Sequence, residues 1–442
     1  MSRGTLRSAL EPFSIAAFRS VWVAALSGNS GRFAVILVAG WEAFRQGHHS
    51  AIWPSLVSML ILLPTALLGL PAGGLADRFN RATQAATGQV VAAVATAGAA
   101  ACVFTHTASL TTTLGAAALV GVANAIQGPA WQALIPGLVG RQRMASAALS
   151  TRIAQQGSEL VGPAIGTAIL TTAGPGWTFL CCSFFYAVGA VLMARVRRQA
   201  RPTPRATATT MWHEVRDGVS YLRTTSPLGL LFVWVTLHCC LTMATFGILP
   251  TIATVNFGGA AGAYGLLLTA FGAGSVIGPL LVLGLFDRAR PGRTLWVTGV
   301  LSGAPLIVVG LSHLEWLSAA MECLAGIGQA VFMAVIYSSV QTCAHDAVRG
   351  RVASIQLAST TGAMGLASIG WGALAGAASV GLVLAVPGAF FVLVCLVLTK
   401  SVSALDRAVD RHRGVAPAAP VGAGGYLGDA PLPAQRGSAI GG

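Results

Sequence analysis

The residues most able to do chemistry in this sequence are the few ionisable side chains inside long apolar stretches. Glu159 and Glu322 are the acids, and His238 lies in a third such stretch. A charge inside hydrocarbon is costly, so an ionisable residue there is a candidate functional site. Because hydrocarbon favours the neutral form of a carboxylic acid, Glu159 is suited to binding and releasing a proton. We therefore predict Glu159 as the proton-coupling residue, with Glu322 and His238 as further candidates.

Each of these assignments has an alternative. Glu159 could form a structural ion pair with Arg32 or a hydrogen bond to a neighbouring glutamine. Glu322 lies nearer one end of its apolar stretch, where water reaches it. His238 precedes two cysteines and could be a packed core residue.

Several polar side chains in the same apolar stretches are candidates for lining a substrate cavity. They are Asn29, Arg32, Asn124, Gln127 and Gln155. Residues three apart share one face of a helix, which groups Asn29 with Arg32 and Asn124 with Gln127. Arg32 would either bind an anionic substrate or neutralise Glu159.

A glycine and proline motif follows Glu159 directly. Gly162 and Gly166 provide a groove for close helix packing, and Pro163 removes one backbone hydrogen bond and kinks the helix. We predict these three residues to form a helix-packing motif.

Short charged connections separate the apolar stretches and repeat along the chain. Gly74, Asp77, Arg78 and Arg81 lie in the first, which we interpret as a charged turn over residues 73–81. The second carries Asp287 and Arg288, with Asp287 lying 210 positions after Asp77. Arg349 and Arg351 follow Arg141 and Arg143 at an offset of 208. This common spacing predicts two related halves, a known plan of secondary transporters.

Composition places the chain in a membrane. Of 442 residues, 55% are hydrophobic and only 9% are charged, and the mean hydropathy is +0.73. A soluble protein of this size carries far more charge. Of the 27 Lys and Arg residues, all but Arg32 and Arg45 fall in or beside alternate connections and the two tails. This positive-inside pattern predicts cytoplasmic termini and accounts for the net charge of +14 without a nucleic-acid partner.

Cofactors and catalysis leave no signature in the sequence. The eight cysteines form no CxxC pair and accompany no histidine cluster, so we predict no metal site. We find no phosphate-binding loop of the GxxxxGK[ST] type and no set of residues with catalytic spacing. We therefore expect no cofactor and no enzymatic activity.

Twelve apolar stretches of about 20 residues are each long enough to cross a bilayer, and the seventh of them predicts a single helix over roughly 227–250. They predict an all-α polytopic membrane protein with twelve transmembrane helices in two six-helix halves. The expected organisation is a half over 1–195, a linker over 196–226, a half over 227–400 and a disordered tail over 401–442. The linker could carry an amphipathic helix on the inner leaflet or be a simple connector.

These motifs resemble the major facilitator superfamily (MFS). The charged connection at 73–81 is similar to that family's loop between helices two and three. The motif at Gly162 is similar to the family's exporter motif, although Thr167 stands where that motif has a second glycine. Phe18-Arg19, the segment 127–136 and the segment 349–352 resemble the bacterial efflux branch that includes enterobactin exporters and macrolide efflux pumps. The resemblance implies Arg or an uncharged residue where Glu159 stands and, in many relatives, an acid where Asn29 and Ser30 stand.

The resemblance implies a proton-coupled exporter of small amphipathic molecules that works by alternating access. It would be a monomer in the bacterial inner membrane, with its substrate, protons and the lipid bilayer as partners. Asp77 would dock at the start of the eleventh helix near Val352, and Asp287 at the start of the fifth near Ala145. An importer of a small solute, or a sensor or scaffold that transports nothing, are the alternatives.

Overall fold

A computed structural model of the chain describes residues 11–78, 80–197, 220, 222, 228–282, 290–345, 349–398 and 406. For residues 70–78, 141, 145, 282 and 349–351 it describes the backbone alone. Every regular element in this described part is helical, and eleven segments are long and apolar enough to cross a membrane. The prediction of an all-α polytopic protein is confirmed.

Six long helices form the N-terminal half. After a 3-10 turn at Glu11–Ser14 they are α1 (Ala16–Gln46), α2 (Ile52–Arg78), α3 (Arg81–Phe104), α4 (Leu110–Val139), α5 (Met144–Thr172) and α6 (Pro175–Val196). α5 is the one long helix outside the eleven apolar segments of the described chain. It is as long as its neighbours but more polar, because it carries Arg152, two glutamines and Glu159.

The C-terminal half repeats this plan with one difference. Its elements are α7 (Leu228–Leu241), a 3-10 segment (Met243–Ile248), α8 (Leu249–Phe257), α9 (Ala261–Val282), α10 (Pro291–Leu311), α11 (Glu315–Cys343), α12 (Arg349–Ala377) and α13 (Val380–Val397). The 3-10 segment joins α7 and α8 into one long apolar unit.

The charged turn predicted over residues 73–81 is wrong in its extent. The backbone of Gly73 to Arg78 belongs to α2, and the next helix already begins at Arg81. The Asn80 side chain accepts hydrogen bonds from the backbone N–H groups of Ala82 and Thr83, at 3.0 and 3.2 Å. This N-cap starts α3 immediately, so the connection shortens to about two residues.

The single helix predicted over residues 227–250 is also wrong, because it is interrupted after Leu241. Pro250 cannot donate a backbone hydrogen bond, and two threonines compete for carbonyls nearby. The Thr242 hydroxyl donates to the carbonyl of His238 at 2.8 Å, and the Thr245 hydroxyl to that of Thr242 at 2.6 Å. The Trp371 indole of α12 donates to the carbonyl of Cys240 at 2.7 Å. These hydrogen bonds satisfy backbone groups that lose their helical partners at the break. Without such partners the groups would be too costly to bury in lipid.

The two halves meet along two helix pairs, α2 with α12 and α5 with α9. We call the end of the bundle that holds the connections 47–51, 105–109 and 258–260 the short-loop end, and the opposite end the tail end. The close contacts between the halves run from the short-loop end to the middle of the helices. Trp41 stacks on Tyr264 at 6.5 Å, and Gly262 and Gly265 of α9 face Thr171 and Thr167 of α5.

Ser55 of α2 is held between two glycines of the other half, an arrangement that we call the Ser55 clamp. A Cβ atom added at Gly372 of α12 would lie 2.5 Å from the Ser55 hydroxyl oxygen. A Cβ atom added at Gly247 of the 3-10 segment would lie 2.6 Å from the Ser55 Cα atom. Ser55 itself is fully buried. The clamp therefore closes the halves against each other at the short-loop end.

One residue of the predicted tail is packed against the C-terminal half. Asp406 is buried, and its carboxylate accepts a hydrogen bond from the backbone N–H of Gly292 at 2.7 Å. A carboxylate at this position caps the N-terminus of α10.

Replacing Gly372 by alanine should open the short-loop end. Overpacking against Ser55 costs about 1–3 kcal/mol, which lowers the ratio of closed to open molecules by roughly 5- to 150-fold. The measurement is the rate at which a membrane-impermeant thiol reagent modifies a cysteine placed at Ala51, located by mass spectrometry. Ala51 is 2% exposed beside the clamp.

The matched control is Gly376→Ala, one turn further along α12. A Cβ atom there meets nothing within 4 Å, so its labelling rate should stay at the parental value. Equal labelling of the Gly372→Ala and Gly376→Ala variants would contradict the clamp.

Candidate functional site

A group of polar side chains lies in the interior of the N-terminal half, and we call it the N-half cluster. Its members come from five different helices: Arg32 of α1, Gln89 of α3, Asn124 and Gln127 of α4, Glu159 of α5 and Tyr186 of α6. Arg32 interacts electrostatically with both Tyr186 and Glu159, and Tyr186 also interacts with Asn124. Thus the structure brings together four predicted site residues that are up to 127 positions apart in sequence.

Glu159 lies where the two halves touch. Its backbone carbonyl faces Gly272 of α9 so closely that a Cβ atom on that glycine would collide with it. The Ser275 hydroxyl of α9 is close enough to its carboxyl group to interact with it. One turn earlier on α5, the Gln156 amide donates to the carbonyl of Ser275 at 3.2 Å. A relative movement of the halves would therefore change the surroundings of this carboxyl group.

Glu159 and Arg32 do not form the direct ion pair that the sequence left open. No nitrogen–oxygen distance of 4.0 Å or less joins them among the contacts of the described residues. The Arg32 guanidinium instead lies over the Phe33 ring, 4.8 Å from its centroid.

The N-half cluster holds an excess of buried polar atoms without a hydrogen-bond partner. They are Nε of Arg32, both amide atoms of Gln89, Nδ2 of Asn124, Oε1 of Gln127, Oε2 of Glu159 and the hydroxyl of Tyr186. The one direct bond among these side chains runs from the Gln127 amide to Asn124 Oδ1 at 2.6 Å. Buried polar atoms in native proteins are nearly always paired, so this cluster is suited to holding a polar ligand or water.

Three contributors to this region have no motif in the sequence. Tyr186 is fully buried behind α1, where a Cβ atom on Gly31 would lie 3.2 Å from its ring. Gln89 is fully buried between Gly28 and Gly189. Ser275 comes from the other half. A polar residue within an apolar stretch was the available signal for all three, but serines, tyrosines and glutamines are too common there to single these out.

The remaining N-terminal candidates face other partners. The Asn29 amide donates to the carbonyl of Ala25 in its own helix at 2.9 Å. Gln155 accepts a hydrogen bond from Arg152 at 3.2 Å, and the Arg152 guanidinium lies 4.6 Å from the Tyr337 ring of α11. Gln155 thus lies beside a contact between the halves rather than in the N-half cluster.

Glu322 lies on α11 in the C-terminal half, away from the N-half cluster. It is fully buried, and neither of its carboxyl oxygens has a hydrogen-bond partner. It is therefore not at a wet end of its helix, which was one alternative. Its role in proton coupling stays a prediction.

His238 is enclosed by aromatic rings. Its imidazole stacks on Phe332 at 4.4 Å and meets Phe391 edge-on at 5.1 Å. Nε2 is 3.0 Å from the Ser302 hydroxyl, and Nδ1 is 3.3 Å from the Thr242 hydroxyl. Both ring nitrogens thus have partners, and the residue is fully buried beside the break after α7. This environment suits a structural histidine, so its role as a proton carrier stays a prediction.

The predicted gating residues are only partly covered by the structure. Asp287 and Arg288 lie outside the described residues. Gly74, Asp77, Arg78, Arg349 and Arg351 are described by their backbone alone, within α2 and α12. The Arg81 side chain donates to the carbonyl of Ala133 on α4 at 2.9 Å. Arg81 thus ties the start of α3 to the tail end of α4.

The glycine and proline motif packs α5 against α1. Gly162 lies against the backbone of Ser30, and Gly166 lies against Leu37 and Ala34. Ser158 strengthens this contact, because its hydroxyl donates to the carbonyl of Leu26 at 3.1 Å. Pro163 lies inside α5 between the two glycines. The motif therefore sets the spacing of the helices that carry Arg32 and Glu159.

Two apolar grooves lie elsewhere on the described surface and contain none of the predicted site residues. One runs between α10 and α11 at Trp296, Pro305 and Met321, and the other between α3 and α4 at Val94 and Leu119. In the described part of the chain, no three His, Cys, Asp or Glu residues could hold a metal ion together.

The fold is that of membrane transporters. A POT family transporter in complex with 5-aminolevulinic acid matches at 11% identity with a TM-score of 0.71, covering 88% of this chain and 97% of its own. A POT family transporter in complex with a thioalcohol-conjugated peptide matches at 10% identity and 0.70, covering 88% and 96%. A mutant of the peptide transporter POT in complex with alafosfalin matches at 12% and 0.69, covering 89% and 96%. At these identities the likeness shows the fold alone.

The sequence family agrees with this class. Residues 7–414 match the family described as transmembrane secretion effector, MFS_3, and the chain belongs to that family. It is a multi-pass membrane protein of the MFS type, and family and fold point to a transporter rather than an enzyme. No curated protein sequence matches the chain.

Gly162→Ala should destabilise the protein, because its methyl group would push α1 and α5 apart. Overpacking at such a contact costs about 1–3 kcal/mol, which should appear as a lower Tm of the purified chain in detergent. Gly128→Ala in α4 is the matched control, since a Cβ atom there meets nothing within 4 Å. Alanine in an open helix position gains up to about 1 kcal/mol over glycine. A Gly162→Ala variant as stable as Gly128→Ala would contradict the contact.

Proposed function

We propose that this chain is a proton-coupled exporter of small amphipathic molecules, such as a drug, a siderophore or a secondary metabolite. The observation that carries the proposal is the place of Glu159, a carboxyl group without an ion pair at the boundary between the halves. The family description as a secretion effector supports export. The chain resembles enterobactin exporters and macrolide efflux pumps at Phe18-Arg19 and in the segments 127–136 and 349–352. This resemblance supports placement in the bacterial efflux branch.

In this proposal the two halves rock against each other along α2–α12 and α5–α9. Glu159 would bind a proton in one arrangement and release it in the other, because its surroundings on α9 change. The Ser55 clamp would close the short-loop end while the substrate enters from the tail end. Discontinuous helices such as α7–α8 are common at the binding sites of secondary transporters, where their helix ends and unwound carbonyls bind substrate and ions.

The membrane orientation is part of the proposal. The positive-inside pattern supports cytoplasmic termini, so the short-loop end would face outward. We propose a monomer in the bacterial inner membrane with the organisation 1–195, 196–226, 227–400 and 401–442. In this orientation the described arrangement is closed toward the outside.

The proton gradient is an adequate driving force. One proton crossing about 100 mV releases roughly 2.3 kcal/mol, and a pH difference of about half a unit adds roughly 0.7 kcal/mol. About 3 kcal/mol sustains a substrate gradient on the order of 100-fold.

An importer of a small solute is the second candidate. It is consistent with the likeness to POT family transporters, including a peptide transporter, because that likeness shows the fold over most of both chains and not the direction of transport. A membrane sensor or scaffold is a third reading. The transport assay below separates all three.

Expression of the chain in a host that lacks its own efflux pumps should lower the accumulation of at least one compound in a panel of dyes and antibiotics. A protonophore should abolish this effect, because it removes the driving force. Glu159→Gln should abolish it too, whereas Glu315→Gln, an exposed acid at the start of α11, should not. Raised accumulation would instead indicate import, and no change for any compound would oppose transport of this class.

Asp77→Asn should stop transport without lowering the amount of protein in the membrane. The proposed docking of Asp77 near Val352 of α12 is a contact between a charge and a helix N-terminus, and the amide loses most of it. The measurement is dye efflux normalised to membrane expression, with Asp406→Asn as control, since Asp406 caps a helix within one half. Normal efflux by the Asp77→Asn variant would refute this gating role.

A further inference from the structure

Arg32 and Glu159 lie in one interior region, where they interact electrostatically but form no direct ion pair. The Arg32 guanidinium lies over the Phe33 ring and interacts electrostatically with Tyr186. Ser275 of α9 faces the Glu159 carboxyl group. Each of the two charged side chains has a buried atom without a hydrogen-bond partner, Nε of Arg32 and Oε2 of Glu159.

α1 and α5, the helices that carry Arg32 and Glu159, are already in close contact and cannot easily approach each other further. Gly162 and Gly166 already place α5 against the backbone and side chains of α1. Glu159 is additionally fixed by the contact of its own carbonyl with Gly272. Arg32 and Glu159 are each only partly buried, but each has a buried polar atom that no hydrogen bond satisfies, which is costly. A ligand that presents both a negative and a positive group would compensate both at once.

Three of the atoms without a hydrogen-bond partner suit the binding of a charged ligand group at one or the other of these side chains. Near Arg32, the Asn124 amide nitrogen and the Tyr186 hydroxyl are close enough to each other to interact, but neither makes a hydrogen bond within 3.5 Å, and both are donors that suit a carboxylate. Near the other charge, Glu159 Oε2 is an unpaired acceptor that suits an ammonium group. Phe33 adds apolar surface beside Arg32.

We propose that the substrate is a zwitterion with an apolar body, whose anionic group binds Arg32, Asn124 and Tyr186 and whose ammonium group binds Glu159. This inference rests on the proposed transport function and narrows its substrate class. It also explains the coupling, because the ammonium group and a proton compete for the same carboxylate. Binding of the substrate would thus release the proton, as exchange requires.

The test uses three probes with one apolar body and the purified full-length chain. They are 2-naphthylalanine, the amine that lacks its carboxylate and the acid that lacks its ammonium group. Affinity is measured from the quenching of tryptophan fluorescence, with the rise in Tm as a second readout. The zwitterion should bind about 10- to 100-fold more tightly than either analogue, since each lacks one charge-assisted interaction.

Two variants should change this preference in opposite ways. Arg32→Gln should lower the affinity for the zwitterion to that for the amine, and Glu159→Gln should lower it to that for the acid. Arg45→Gln, a change at an exposed arginine near the short-loop end, is the control and should leave the order of affinities intact. Matching losses for all three probes in each variant would show a merely structural role and overturn the inference.

The outcomes separate this inference from the transport function. If the chain lowers dye accumulation but binds the amine or the acid as tightly as the zwitterion, the inference is wrong and transport stands. If it lowers dye accumulation but binds none of the three probes, the inference is wrong as well. A preference for the zwitterion that both variants abolish, in a chain that moves no compound, would support the binding site and refute export.

Discussion

Contact between helix backbones across glycine is the interaction on which the rest of the structure depends. In a membrane no hydrophobic force draws helices together, so association relies on close packing and on small residues. Glycines provide this packing within the N-terminal half at Gly162, and between the halves at Gly265, Gly272 and Gly372. The contact at Gly162 also brings the helices that carry Arg32 and Glu159 together.

A second constraint acts on the polar groups in the interior. Each of them must form a hydrogen bond, because burying it without one costs free energy. At the break after Leu241 the partners come from the protein itself, including Thr242 and the Trp371 indole. Both ring nitrogens of His238 likewise lie within hydrogen-bond distance of a hydroxyl group. The N-half cluster lacks such partners, and this difference separates a structural polar site from one suited to a ligand.

The sequence predicted most of the fold because membrane helices are encoded locally. A run of about 20 apolar residues must be helical to satisfy its backbone in lipid, so the order and number of the long helices followed from hydropathy. The predicted helix boundaries were wrong where hydrogen bonds of nearby side chains, or a proline, start or interrupt a helix inside an apolar stretch. Asn80 caps α3 directly and shortens the turn at 73–81, and Pro250 with two threonines interrupts the seventh unit.

By itself the sequence determined the class of protein, the two-half plan and the small set of intramembrane ionisable residues. It also placed Gly162 and Gly166 in a packing motif. Only the tertiary structure decided which polar residues meet, that Tyr186 and Ser275 join Arg32 and Glu159, and that Glu322 and His238 lie apart from them. The physical reason is that the helix contacts which assemble the cluster join positions far apart in sequence. Hydropathy shows that a residue is buried, but not which helix it faces.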